Sequence, residues 1–144
     1  MRLEDFQFEL ARLPGSMPVW HGVVSAAQWR TACGQVREKG GRLVALWATD
    51  ESDRTSGYTV NAALTVQSGL IALTLPLERD LFPDISDIFP AANRMQRAAC
   101  DLLGVSAENA ADHRKWLRHA AWPADLTKAC GSKPALAIIW AFPI

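Results

Sequence analysis

The chain of 144 residues is about half apolar and carries 15 basic and 15 acidic side chains, so its formal net charge is zero. This composition is typical of one globular domain with its own core and excludes a disordered segment. A neutral chain lacks the basic surface that non-specific nucleic-acid binding needs, so we expect no nucleic-acid partner.

The chain begins with a segment of undecided structure and continues into a strand. Phe6, Phe8 and Leu10 alternate with polar residues, as in an edge strand, but the apolar positions from residue 3 to residue 13 also fit a helix. Pro14-Gly15 closes the segment in either case. Residues 18–24, PVWHGVV, are then predicted to form a strand.

The first helix is predicted from its start signals. Ser25 precedes Gln28 by three residues, which is the spacing of a capping box, and Val24 and Trp29 occupy the positions of a hydrophobic staple. Gly40-Gly41 ends the helix. Its predicted buried stripe consists of Trp29, Ala32, Cys33 and Val36.

Three strands are predicted next. Residues 42–49, RLVALWAT, are almost continuously apolar, which favours a central strand covered on both faces. Residues 58–66 and 70–75 form a meander around a turn at Ser68-Gly69. A strand–helix–strand unit followed by an antiparallel meander predicts an α+β fold, with a mixed sheet and helices packed on one face.

A second helix is predicted between Pro90, which can open a helix, and Gly104, which can end one. It follows a loop at 78–83 and an apolar turn at 85–89. Its apolar stripe includes Ala91, Ala92, Met95, Ala98, Ala99, Leu102 and Leu103. Arg94, Arg97 and Asp101 share a separate charged stripe, which we expect at the surface.

The last part of the chain is predicted less completely. Ser106 or Asn109 could cap a short helix over His113 to His119, and Arg114, Lys115 and Arg118 form a local basic patch. Among the six tryptophans, Trp20, Trp29 and Trp47 are expected in the core. Trp116, Trp122 and Trp140 are open between a partner surface and the core.

Residues 126–144 end in the apolar run ALAIIWAFPI. At about ten residues this run is well short of the ~20 that a membrane helix needs. It could be a strand, a partner-binding tail or the product of a truncated or shifted reading frame, and these alternatives stay open.

The sequence shows no motif for chemistry. No C-x-x-C motif occurs among Cys33, Cys100 and Cys130, so neither an iron–sulfur cluster nor a structural zinc site is encoded. P-loop, G-x-G-x-x-G and G-x-S-x-G motifs are absent. Asp84 and Asp87 are interpreted as solvated acids near a helix start. We predict no catalytic residue, cofactor or metal, and the unpaired cysteines and the lack of a signal peptide favour a cytoplasmic protein.

The second predicted helix carries a resemblance to a known family. The matching positions are Pro83, Asp87, Phe89, Pro90-Ala91-Ala92-Asn93, Arg97, Asp101, Gly104 and Val105. On these residues the chain resembles the complex I 30 kDa subunit family of NADH:quinone oxidoreductases. The wording RMQRAACDLLGV…DHRKWLRHAAWPAD resembles the form found at the N-terminus of the large subunits of group 4 membrane-bound [NiFe] hydrogenases, the formate hydrogenlyase type.

The resemblance covers roughly residues 25–125 and has two departures. The paired glutamates of the family are Gln96 and Ala98 here, and its Gly-His-Pro segment has become Ala110 to His113. The resemblance implies a 30 kDa subunit-like domain over residues 1–125, with residues 126–144 as a tail. The nickel-binding cysteine pairs of a hydrogenase large subunit do not occur.

The resemblance implies a non-catalytic docking subunit or domain of an oxidoreductase complex for electron transport. It would brace the large subunit, 49 kDa-like or [NiFe]-hydrogenase-like, and would be peripheral to the inner membrane, associated with it only through the complex. The expected interface residues are Arg94, Arg97, Asp101, Arg114, Trp116, Arg118 and Trp122. The plain alternative for Arg97 and Asp101 is an i, i+4 surface pair. The alternative function is a small stand-alone α+β enzyme or ligand-binding module.

Overall fold

The computed structural model describes residue 6 and residues 8–54 and 57–118, arranged as two helices and two sheets. The elements in chain order are β1 (Ala11–Arg12), β2 (Val19–Val23), α1 (Ala26–Glu38), β3 (Arg42–Asp50), β4 (Tyr58–Val66), β5 (Gly69–Pro76), β6 (Leu81–Pro83), α2 (Ala92–Leu103) and β7 (Ser106–Glu108). None of the helices within these ranges is long and apolar enough to cross a bilayer.

The main sheet is mixed and has the strand order β1-β2-β5-β4-β3. β2 pairs with β5 in parallel, whereas the other three pairings are antiparallel. This arrangement confirms the predicted strand–helix–strand unit and meander. The turn between β4 and β5 needs Gly69, whose φ is +139° and whose missing Cβ leaves room for the backbone of Pro18.

The position predicted for β3 is wrong, because β3 lies at an edge of the sheet. Val44 is 51% exposed and Trp47 is 38% exposed, so Trp47 is not a core residue either. An apolar run of this length does not distinguish an edge strand from a central one. Helix α2 lies against β3, which accounts for part of the apolar character of the run.

One face of the main sheet packs against the helices to form a single core. The predicted stripe of α1 is fully buried, and Trp29 is the largest side chain in this core. The sheet contributes Leu46, Ala48, Val60, Ala62, Leu64, Ile71, Leu73 and Leu75. The expectation of helices on one face is therefore confirmed, and Trp20 is only half-buried.

The opposite face carries a hydrogen-bonded polar row. Thr74 Oγ1 donates to Asn61 Oδ1 at 2.7 Å, so His21 Nε2, 3.0 Å away, donates to Thr74 Oγ1. Asn61 Nδ2 continues the row to Thr59 Oγ1 at 3.3 Å, and Thr59 is bonded to Thr49 at 2.6 Å. The row links four strands and keeps this face more polar than the core face.

The helix boundaries follow their predicted signals closely. Ser25 is the N-cap of α1, and the reciprocal bonds of the capping box with Gln28 are both present. Gly104 ends α2 in the left-handed conformation at φ 78°, and its N–H donates to Cys100 at 2.9 Å. Helix α2 begins at Ala92, two residues after the predicted opening at Pro90.

Two other segments differ from their predictions. The predicted loop at 78–83 contains β6, which pairs in parallel with β7. No helix forms between residues 109 and 118, contrary to the predicted short helix, because side chains of α2 bind the backbone there. The undecided N-terminal segment provides the two-residue strand β1, and Phe6 packs into the core.

Several predictions fall outside the described residues. These concern His119, Trp122, Trp140, Cys130 and the tail at 126–144, as well as the division of the chain at residue 125.

Candidate protein interface

Asp101 on helix α2 anchors the segment that follows β7. Its Oδ2 accepts hydrogen bonds from the backbone N–H groups of Trp116 and Leu117, both at 2.7 Å, and of Arg118 at 3.1 Å. Lys115 Nζ lies 3.8 Å from Oδ1. Asp101 is only 3% exposed, so its expected position in an exposed stripe, paired with Arg97, is wrong.

The environment keeps this buried carboxyl ionised. Burial by itself raises the pKa of Asp101, but the hydrogen bonds from Leu117, Trp116 and Arg118 and the charge of Lys115 lower it further, so the pKa is below its usual range. Three N–H groups directed at one carboxylate oxygen are charge-assisted hydrogen bonds, which are the stronger kind.

Arg97 binds the same segment from the previous turn of α2. Its Nε donates to Arg114 O at 2.7 Å, and its Nη1 donates to Asp112 Oδ2 at 2.9 Å and Asn93 Oδ1 at 3.0 Å. The Arg97 side chain is 12% exposed, so it too is mostly buried. We call Arg97 and Asp101 the anchor pair, and residues 112–118 the anchored loop.

Asp112 closes the anchored loop on itself. Its carboxylate accepts from the backbone N–H of Arg114 at 3.0 Å and from Arg114 Nη2 at 2.8 Å, in addition to Arg97. The side-chain hydrogen bond from Arg114 is the main reason why the pKa of Asp112 is well below its usual range.

The anchored loop presents an aromatic and basic surface. Trp116 is 41% exposed, and the guanidinium carbons of Arg94 and Arg97 lie 5.0 and 5.2 Å from the centroid of its ring. These distances are within the range of cation–π interactions. The side chains of Arg114 and Lys115 are 83% and 55% exposed. We call Arg94, Arg114, Lys115 and Trp116 the docking surface.

The structure therefore brings most of the predicted interface residues together. Arg94, Arg114 and Trp116 are exposed, Arg97 and Asp101 lie beneath them, and Arg118 is half-buried beside Asp101. Trp122 is not among the described residues. Sequence reasoning missed Asp112, which occupies the place where the family has its Gly-His-Pro segment.

Gln96 is a second missed residue, at the first of the two departures from the family pattern. It is 2% exposed. Its Nε2 donates to Asp84 Oδ1 at 2.6 Å, and its Oε1 accepts from the N–H of Ile85 at 3.1 Å. Asp84 thus fixes the turn before α2 and is not simply a solvated acid.

A separate open cleft of about 530 Å³ lies between α1 and the turns that flank β6 and β7. Arg30 at its rim forms a bidentate ion pair with Asp87, at 2.9 and 2.6 Å. Glu108 and Asn109 line the other side. No three potential metal ligands cluster anywhere in the described ranges.

The cysteines show no reactive environment in this part of the chain. Cys33 is fully buried, and burial raises the pKa of its thiol to about 12. Cys100 is half-buried, with its sulfur 3.3 Å from the hydroxyl of Ser106.

The model of one protein family, described as respiratory-chain NADH dehydrogenase, 30 Kd subunit, matches residues 23–130. No curated protein matches the chain. A solved trypsin-resistant fragment of Nqo5 is similar to it with a TM-score of 0.61 at 14% identity, over 75% of this chain and 89% of that one.

A second solved structure is similar in the same way. It is a chain of the membrane-bound sulfane sulfur reductase, an archaeal respiratory membrane complex, with a TM-score of 0.56 at 18% identity. The similarity covers 84% of this chain and 71% of that chain. At these identities the two structures establish the shared fold.

Proposed function

Because the chain belongs to the family of the respiratory-chain NADH dehydrogenase 30 Kd subunit, we propose that it is a non-catalytic docking subunit or domain that braces the large subunit of an electron-transfer complex. Family membership makes it a subunit of an oxidoreductase complex. The large subunit would be 49 kDa-like or [NiFe]-hydrogenase-like. The chain would bind no cofactor and would lie on the cytoplasmic side, attached to the membrane only through the complex.

The observation that carries this proposal is the docking surface. Trp and Arg are the residues most enriched at the energetic centres of protein interfaces. Here an exposed Trp116 and an exposed Arg94 are held by buried, charge-assisted contacts of the anchor pair. A buried network that fixes an exposed aromatic residue supports binding better than it supports catalysis.

Two forms of the complex remain as proposals. The sequence pattern of α2 and the anchored loop favours the hydrogenase-type large subunit, of which this chain would be the N-terminal domain. Similarity to Nqo5 and to a chain of an archaeal respiratory membrane complex supports both this form and the quinone-reductase form. The genes adjacent to that of this chain would distinguish them.

Co-purification tests the docking role. The tagged chain is expressed with the large subunit encoded beside it, and the affinity of the purified pair is measured. We expect Trp116→Ala to weaken the complex ~30-fold, because truncating an interface tryptophan often costs about 2 kcal/mol or more.

Trp47→Ala is the matched control, since Trp47 is 38% exposed against 41% for Trp116 and lies on β3. The control should bind like the wild type. Equal binding by both variants, or no complex with the wild type, would contradict the docking role at this surface.

The alternative function, a stand-alone enzyme or ligand-binding module, is favoured by the cleft beside Arg30 and Asp87. Native mass spectrometry of the chain from its own host tests it. A stoichiometric small molecule that is lost in Arg30→Ala would support the alternative.

A further inference from the structure

We infer that the docking surface recognises an acidic protein segment, with carboxylates facing Arg94 and Arg114 and an apolar side chain packed on Trp116. This inference rests on the proposed docking function and adds the chemistry of the partner. It follows from the balance of used and unused charge at the surface.

The carboxylates of this region are already occupied by internal hydrogen bonds. Asp101 accepts three backbone N–H groups through Oδ2 alone. Asp112 accepts from Arg97 and, through both oxygens, from Arg114. Neither carboxylate is left to neutralise a further cation at the surface.

The cations, in contrast, keep unused donors. A guanidinium group has five N–H donors. Arg94 forms no ion pair with any described residue, and its contact within that part of the chain is with the ring of Trp116. Arg114 uses Nε and Nη2 on Asp112, yet its side chain is 83% exposed. Lys115 reaches Asp101 only at 3.8 Å.

The surface is therefore locally positive on a chain whose formal net charge is zero. A local basic patch around an exposed tryptophan fits a complementary acidic patch on a protein, which steers association and fixes the register. A phosphate backbone would instead call for a broad basic face. The patch has one aromatic anchor with cations beside it, which is the composition of a protein interface centre.

Charge reversal of the full chain in its complex tests the inference. We expect Arg94→Glu to weaken the affinity for the large subunit at least ~10-fold, and Arg94→Glu with Arg114→Glu to weaken it more. The charge-retaining Arg94→Lys should bind within a few-fold of the wild type. Wild-type affinity should fall as salt is raised, and the reversed variants should depend on salt less steeply.

Arg12→Glu is the matched control, because Arg12 is exposed on β1 at the opposite edge of the sheet from β3 and α2. Arg114→Glu could loosen the anchored loop through repulsion with Asp112. The single variant Arg94→Glu avoids this, since an acidic residue in the first turn of a helix is favourable.

Photo-crosslinking identifies the segment directly. A benzoylphenylalanine at position 116 in the assembled complex should capture a large-subunit peptide that is rich in Asp and Glu. A captured peptide that is neutral or basic would overturn the inference, even if the complex forms normally.

The outcomes separate this inference from the function on which it rests. A stable complex that is indifferent to salt and to Arg94→Glu would overturn the acidic partner and leave the docking role intact. A wild-type chain that forms no complex would overturn both. Binding to phosphatidylglycerol vesicles, abolished by Arg94→Glu while the complex is unaffected, would assign the surface to a membrane and also overturn the inference.

Discussion

At the scale of single residues, Asp101 is the strongest test of the site. Asp101→Asn removes the charge that three backbone N–H groups share, and it leaves an amide group in a buried position. We expect the free energy of unfolding at pH 7 to fall by ~2 kcal/mol. Urea denaturation measures this change, and Asp53→Asn, at an exposed position in the loop after β3, should leave the midpoint unchanged.

The same residue determines part of the response to acid. The pKa of Asp101 is lower in the folded protein than the usual value of about 3.9 for an unfolded aspartate. Its contribution to stability is therefore present above pH ~4 and is lost as the pH falls through the folded pKa. Asp112, whose pKa is also lowered, acts in the same direction. Asp101→Asn should show a shallower loss of stability between about pH 5 and pH 2, in denaturation series at fixed salt.

The sequence indicated which residues of α2 matter but not what they contact. The resemblance singled out Arg97 and Asp101, whereas helical spacing placed them in an exposed stripe. Spacing within a helix records only which residues share a face. Here the face of Asp101 is covered by residues 15 to 17 positions later in the chain. Such contacts depend on tertiary packing and have no local signal.

At the scale of elements, the start of α1 is a predicted feature that the structure confirms. Gln28 N–H donates to Ser25 Oγ at 3.3 Å, and Gln28 Oε1 accepts from the N–H of Ser25 at 3.0 Å. Ser25→Ala should lower the free energy of unfolding by ~1 kcal/mol, through loss of the N-cap. Chemical denaturation measures it, with Ser25→Asp as the variant that should retain the cap. An unchanged midpoint in Ser25→Ala would show that the cap contributes nothing.

Helix α2 offers a matched pair of arginines for separating support from binding. Arg97 donates to Arg114 O, Asp112 and Asn93, whereas Arg94 lies over the exposed ring of Trp116. Arg97→Ala should therefore destabilise the chain by ~1–3 kcal/mol, and Arg94→Ala should stay within ~0.5 kcal/mol of the wild type. Thermal melting and limited proteolysis of the anchored loop measure the two effects. Equal melting curves would contradict the anchoring role of Arg97.

Among the other elements, the long strands and helices were predictable and the short pairings were not. Residues 58–66 and 70–75 carry their own alternation and a glycine turn. Strands β6 and β7 have three residues each and pair across the whole length of α2. Three-residue strands show no periodicity, so only the folded chain reveals them. The edge position of β3 likewise depends on strand order, which an apolar run does not encode.

At the scale of the whole molecule, the isolated chain is expected to be colourless and redox-silent. The motivation is the wide separation of its three cysteines and the lack of a nucleotide-binding motif. Elemental analysis and an absorption spectrum after native purification measure this. Iron, nickel, zinc or flavin at stoichiometric level would contradict the role of a cofactor-free subunit.

The anchored loop also bears on how fast and how tightly the chain can assemble. Flexible recognition segments lose conformational entropy when they bind, at about 0.5–1.5 kcal/mol for each immobilised side chain, and this loss weakens affinity. Asp101 and Arg97 have already fixed the backbone around Trp116 through contacts within the free chain. Most of that ordering occurs during folding, so association should approach a rigid-body encounter with a single kinetic phase.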